Sequence, residues 1–159
     1  METNIRPAVE ADVALILSLI RELAEYERLT HEVCASEEEI RVWLFGAKPV
    51  AEALIAEHGD SPVGFALFFH NFSTFLGRPG LYIEDLYVSP ELRGKGIGNK
   101  LLKEIARIAR DRGCGRLEWA VLDWNEPAIK FYEGLGAKPM SDWTVFRLTV
   151  EGISRLADS

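Results

Sequence analysis

The segment Asp85-Leu86-Tyr87-Val88-Ser89-Pro90-Glu91-Leu92-Arg93-Gly94-Lys95-Gly96-Ile97-Gly98 carries the strongest constraint on what this chain can fold into. An apolar strand leaves through a proline turn, meets three alternating glycines with Arg93 and Lys95 beside them, and enters an amphipathic helix. That is a strand–turn–helix unit, a building block of α/β proteins. Glycine removes the side chains that would hold a ligand away from the backbone. The N–H groups of Gly94, Lys95, Gly96, Ile97, Gly98 and Asn99 can then converge on an anion, and the helix N-terminus adds partial positive charge. The pattern predicts a pyrophosphate cradle.

Spacing separates the possible ligands. A dinucleotide fingerprint begun at Gly96 needs a third glycine where Leu101 stands, and one begun at Gly94 needs it at Asn99. A Walker A loop ends in Gly-Lys-Ser/Thr, whereas Gly98 is followed by Asn99 and Lys100. Composition removes further classes. A net charge of −7 lacks the basic face that nucleic acid requires, and weakly favours a small cationic partner. No apolar run approaches the ~20 residues of a membrane span, and the first residues lack a signal-peptide pattern. Cys34 and Cys114 are isolated thiols, and His31, His58 and His70 show no ligand spacing. The expectation is therefore a cytoplasmic protein with no metal, no membrane and no nucleic acid as partner, folded as one domain over 1–159.

Along the chain, residues 5–8 read as a first strand. Val13, Ile16, Leu17, Ile20, Leu23 and Ala24 follow helical spacing, and Glu27, seven residues after Ile20, extends that buried stripe. Ser36 and Glu39 form a capping box for a helix ending at Gly46. Strands over 50–57 and 63–69 form a hairpin, 71–80 reads as a loop, and 81–88 is the strand before the cradle. The helix after it buries Ile97, Leu101, Leu102, Ile105, Ile108 and Ala109 and ends at Gly113. A strand over 116–122 follows, then a short helix capped by Asn125 with Pro127 in its first turn. Residues 145–150 read as a last strand and 153–157 as a terminal turn. The order predicts a mixed α/β sheet, antiparallel in its first half, with a parallel crossover over the cradle helix.

Arg93-x-x-Gly96-x-Gly98 resembles the coenzyme A signature of the GNAT N-acetyltransferases, and the element order matches their fold. Ile5-Arg6-Pro7-Ala8, Tyr26-Glu27, Tyr82-Ile83-Glu84-Asp85, Trp124-Asn125-Glu126-Pro127 and Phe131-Tyr132 are similar to segments of the diamine (spermidine/spermine) acetyltransferase-like branch, in the same order. The resemblance implies an acyl-CoA N-acyltransferase fold whose central sheet splays at the acetyl-CoA site. It implies acetyl-CoA as co-substrate, Leu86, Tyr87 and Val88 lining the pantetheine slot, and a homodimer. Trp43, Trp143 and Phe146 would serve as interface or core residues.

Acetyl transfer to an amine requires a held thioester, a neutral amine and an acid for the leaving thiolate. By resemblance Tyr132 is the candidate acid; packing of the Phe131-Tyr132 pair on the sheet is its plainer role. Glu84 is the candidate base, acting through water, against a plainer role as a solvated edge residue. Regular alternation would put it with Tyr82, Leu86 and Val88, an apolar setting that invites a partner or a bulge. Tyr26, Glu27, Glu84 and Asp85 are the candidate acceptor contacts, and Asn125 can bond the pantetheine arm as well as cap its helix. Three carboxylates favour an acceptor with a second cationic amine, a polyamine or a lysine-like amino acid such as thialysine. No Arg or Lys stands in the Tyr26–Glu27 or Ile83–Asp85 segments to meet an amino acid's carboxylate, which leans toward a diamine. A protein or peptide amine, reached through an open 71–80 loop, and a non-catalytic coenzyme A sensor are the alternatives.

Overall fold

The computed structural model describes residues 2–159 as two units, the first running to Ala120 and the second spanning Val121–Ser159. The first holds β1 (Thr3–Pro7), α1 (Val13–Tyr26), α2 (Glu37–Phe45), β2 (Glu52–His58), β3 (Ser61–Ser73), β4 (Arg78–Val88), α3 (Ile97–Asp111) and β5 (Leu117–Trp119). The five strands pair in chain order. β1 to β4 are antiparallel, and β4 meets β5 in parallel after the chain crosses over through α3. This is the expected mixed sheet.

Period 2 in the strands and 3.6 in the helices give the sheet two covered faces. On one, Val13, Ile16, Leu17, Leu19 and Leu23 of α1 and Ile40 of α2 pack on Ala53, Ile55, Phe65 and Tyr87. The other face takes α3, which buries Ile97, Leu101, Leu102, Ile105 and Ala109. Leu101 and Ile105 have no exposed surface, and each such side chain contributes about 1.5–3 kcal/mol. The capping box forms as the sequence predicts. Glu39 N–H donates to Ser36 Oγ at 3.2 Å, and Ser36 N–H donates to Glu39 Oε1 at 3.2 Å.

One irregularity decides where the acidic residues go. β3 and β4 pair as Leu67↔Asp85 and then Phe68↔Ile83, which leaves Glu84 as the extra residue of a β-bulge. Without it, Asp85 would share a face with Ile83 and Phe68, in the apolar layer beneath α3. With it, Asp85 lies opposite Leu67, which packs against the α1 and α2 cluster, so the carboxylate comes to that face.

The predicted 71–80 loop is a tight hairpin instead. Asn71↔Gly80, Phe72↔Pro79 and Ser73↔Arg78 continue the ladder. The turn closes with Gly77 N–H on Ser73 O at 2.9 Å and Leu76 N–H on Ser73 Oγ at 3.2 Å. Gly77 supplies the positive φ, +65°, that this turn needs.

The second unit holds α4 (Glu126–Gly134) and α5 (Val150–Ala157). The expected strand over 145–150 is absent, and the expected terminal turn is the helix α5. Val145 and Phe146 are exposed at 89% and 91%. Their alternation has no strand within the described residues of that unit to pair with, and an unpaired extended segment gains no ladder bonds.

Candidate active site

β4 runs on to Val88, but its pairing with β5 ends at Ile83↔Trp119. Residues 84–88 therefore have no ladder partner on that edge among the described residues. The chain turns at Pro90–Leu92 and passes Gly94 and Gly96, each at φ +80°, into α3. The first helical bond of α3 is Lys100 N–H to Gly96 O at 3.0 Å, so Ile97, Gly98 and Asn99 N–H have no helical acceptor. A Cβ at Gly94 or Gly96 would meet nothing within 4 Å, and one at Gly98 only Val88 Cγ2 at 3.9 Å. The protein itself leaves this space open. An unpaired strand edge that leads into amides without helical acceptors, with open space at Gly94, Gly96 and Gly98, fits a pantetheine arm and its pyrophosphate.

The Arg93 side chain is held by the protein. Its Nε donates to Val88 O at 3.0 Å, and its guanidinium sits 4.3 Å from the centre of the Tyr26 ring and 5.5 Å from that of Tyr87. Tyr87 OH in turn donates to Glu22 Oε1 at 3.3 Å. Residues far apart in sequence thus place a cation against the Tyr26–Glu27 segment, where the sequence shows none.

Beside α1 lies an open cleft of about 490 Å³, walled by Ile20, Leu23, Leu29 and Val33 and by the acidic side chains of Glu27, Glu32, Glu39 and Asp85. Glu27 is half-buried at the C-cap of α1, on the stripe its spacing predicts. Glu84 is exposed at the bulge, and Asp85 is half-buried. Burial pushes the Asp85 carboxyl up to about 7, with the Glu84 and Glu27 charges adding to it. Glu27 is raised by burial and then by Glu84. Tyr82 is raised by burial, then by Glu84 and Glu118. Residue periodicity gives no sign of Glu32, Cys34 and Glu39, which reach the cleft from a 3₁₀ turn, a linker and α2.

In the second unit, Asn125 is buried and caps α4, accepting from Ala128 N–H at 3.4 Å, with Pro127 in the first turn. Tyr132 follows Phe131 on α4, their ring centres 5.6 Å apart, and its carbonyl accepts from Ala137 N–H at 3.2 Å. No helix among the described residues is long and apolar enough to cross a membrane.

The sequence profile of the acetyltransferase (GNAT) family matches residues 16–137. Thialysine N-epsilon-acetyltransferase from Bos taurus is 44% identical over 96% of both chains, and the Mus musculus enzyme is 42% identical over 98% of this chain and 97% of its own. Human spermidine/spermine N(1)-acetyltransferase-like protein 1 is 32% identical over 97% of this chain and 24% of its own. Among solved structures, an integron cassette protein of V. cholerae superposes with a TM-score of 0.82, 29% identity and coverage of 100% and 99%. Cradle, sheet and relatives agree: the chain belongs to the GNAT family, as an N-acetyltransferase in the branch that carries acetyl from acetyl-CoA to small amines.

Proposed function

We propose that the acceptor is a small amine with a second cationic group, a lysine-like amino acid such as thialysine ahead of a diamine, bound in the cleft that Glu27 and Asp85 help to wall, with Glu84 exposed next to Asp85 on β4. The observation that carries this is the cleft wall: four carboxylates line it and no basic side chain does. A dicationic acceptor relieves that mutual repulsion, whereas a neutral-tailed monoamine leaves half-buried carboxylates unpaired. The preference for an amino acid has two supports. The relatives at 42–44% identity are thialysine acetyltransferases, and Arg93, though not part of the cleft wall, lies over the ring of Tyr26, the neighbour of Glu27, as a basic group that an amino acid's carboxylate can meet.

The amides of residues 94–99, with Arg93 and Lys95 beside them, hold the pyrophosphate, and the free edge of Leu86, Tyr87 and Val88 lines the pantetheine arm. By the resemblance to the family, Asn125 and Pro127 at the start of α4 are assigned to the pantetheine arm, and the family match, which crosses Ala120 into the second unit, supports one domain over 1–159. Acetyl-CoA supplies the activated acyl group. The carboxylate cluster draws in the ammonium and removes one proton, and the amine nitrogen then forms its bond to the thioester carbonyl carbon. As the carbon–sulfur bond breaks, the Tyr132 phenol gives its proton to the sulfur, and the second proton of the attacking nitrogen passes to the phenolate, which leaves the amide, the free thiol and a neutral phenol. The protein acts as a homodimer in this reading, which the exposure of Trp43, Trp143 and Phe146, at 52%, 77% and 91%, supports. Light scattering at the monomer mass would remove that element.

The test is the ratio of kcat/KM values for thialysine or lysine, a diamine and a neutral-tailed monoamine of equal length. The dicationic acceptors should exceed the monoamine by ~10-fold or more, and Glu27→Gln should shrink that gap by raising KM, because it deletes one charge contact worth about 1–2 kcal/mol. Equal constants across the panel, or a gap unchanged in Glu27→Gln, contradict the reading.

A further inference from the structure

We infer that Arg93 is a positioning residue for the acceptor. Its side chain ties the last turn of α1, and with it Tyr26 and Glu27, to the end of β4, so that it supports the binding of acceptors with or without a carboxylate. This rests on the acceptor reading above and adds to it what holds that wall of the cleft in place.

The tie is built from both ends. Glu22 and Tyr26 stand four residues apart on α1 and so share one of its faces. Against that face lie Tyr87, whose OH donates to Glu22 Oε1 at 3.3 Å, and Arg93, whose guanidinium is 4.3 Å from the centre of the Tyr26 ring. Tyr87 is buried in the core beneath α1 and makes a fixed floor. Arg93 rests on that floor too, 5.5 Å from the Tyr87 ring centre, and its Nε donates to Val88 O at 3.0 Å. The ladder leaves this carbonyl available. Ser89 N–H donates to Val63 O at 2.8 Å on the β3 side, so Val88, one residue back, turns its own N–H and C=O to the other edge. The guanidinium is thus wedged between two rings, one fixed and one at the end of α1.

That end of α1 is where a support has most to hold. The helix closes in a Schellman turn, with Leu29 N–H on Ala24 O at 2.8 Å and Arg28 N–H on Glu25 O at 3.1 Å. Its left-handed position, most often glycine, is taken by Arg28 at φ +61°, the only non-glycine residue with positive φ among the described residues. Backbone of this kind persists where its surroundings fix it. Glu27, which walls the cleft, is the residue between Tyr26 and Arg28. The tie and a plain charge effect differ in sign. A cation acting by charge alone disfavours a dicationic acceptor, whereas one that fixes Tyr26 and Glu27 favours it.

The experiment is the KM for a diamine, which has no carboxylate for Arg93 to meet, with acetyl-CoA saturating for each variant of the full chain. Arg93→Gln should raise that KM by ~5-fold, the scale of a lost cation–ring contact, and should change kcat less. Arg93→Lys keeps a cation over the ring and should recover part of the loss. Tyr26→Leu should raise KM at least as much, and Tyr26→Phe, which keeps the ring, should raise it less. In the Tyr26→Leu background Arg93→Gln should add nothing, because the two residues act as one unit. The proposal is overturned if Arg93→Gln lowers the KM or leaves it unmoved, which returns the side chain to the pyrophosphate alone. It is equally overturned if the two losses multiply in the double variant. Should Arg93→Gln bind acetyl-CoA too weakly to be saturated, nitrogen-15 NMR of the acceptor-free parent decides. The Arg93 Nε–H signal should exchange slowly, lie away from that of a solvated arginine through the ring currents, and move in Tyr26→Leu. A signal at the solvated position that Tyr26→Leu leaves in place contradicts the tie. If no dicationic amine is acetylated, it is the acceptor reading that fails, and this signal still reports on Arg93.

Discussion

Replacing Tyr132 by Phe should lower kcat by ~10²-fold or more while acetyl-CoA binds almost as before. In the proposed mechanism the phenol acts as the carbon–sulfur bond breaks, so its loss would fall on the transition state more than on the ground state. The ring remains, and with it the contact to Phe131 at 5.6 Å, so α4 keeps its packing. Single-turnover kinetics alongside calorimetry with coenzyme A separates the two effects. Unchanged turnover would return Tyr132 to a packing role.

Gly98→Val should abolish coenzyme A binding and leave the fold standing. The backbone does not demand glycine here: Gly98 lies outside the left-handed region, and a Cβ would make only an ordinary contact with Val88 at 3.9 Å. In a helix, glycine and valine differ by only a few tenths of a kcal/mol, so thermal unfolding should hardly move. The branched side chain would instead occupy the space over the unpaired amides of Ile97, Gly98 and Asn99. Calorimetry and thermal unfolding on the same variant check both halves. A folded variant that binds coenzyme A like the parent would mean that the cradle lies elsewhere.

Features governed by a few neighbouring residues were legible in the sequence. The Ser36–Glu39 box, the Asn125 cap, the α3 stripe of Ile97, Leu101 and Ile105, and the glycine turn all depend on local spacing. The bulge was only one of two options in the sequence, because two-against-one pairing is decided by the register of β4 against Leu67 on the neighbouring strand. Alternation left Glu84 in an apolar row with a bulge as one way out, and the bulge is what gives Asp85 its place in the cleft. Residues 71–80 read as a loop because Gly77 and Pro79 are turn formers, yet Pro79 sits in the ladder opposite Phe72. For residues 145–150 the opposite holds: the alternation is sound, but a strand also needs an edge to join. Arg93 beside Tyr26 belongs to the same class of long-range facts, since the two stand 67 residues apart in the chain and meet only through folding.

The measurement that bears most directly on the whole account is product identification. The chain is incubated with acetyl-CoA and a lysine-like amine, free thiol is counted, and the acetylated nitrogen is located by mass spectrometry and NMR. The account predicts one thiol released for each acceptor acetylated, with the acetyl group on the terminal side-chain nitrogen and a far lower rate for a peptide amine. Thiol release without an acetylated small amine, or acetylation confined to peptides, would contradict it.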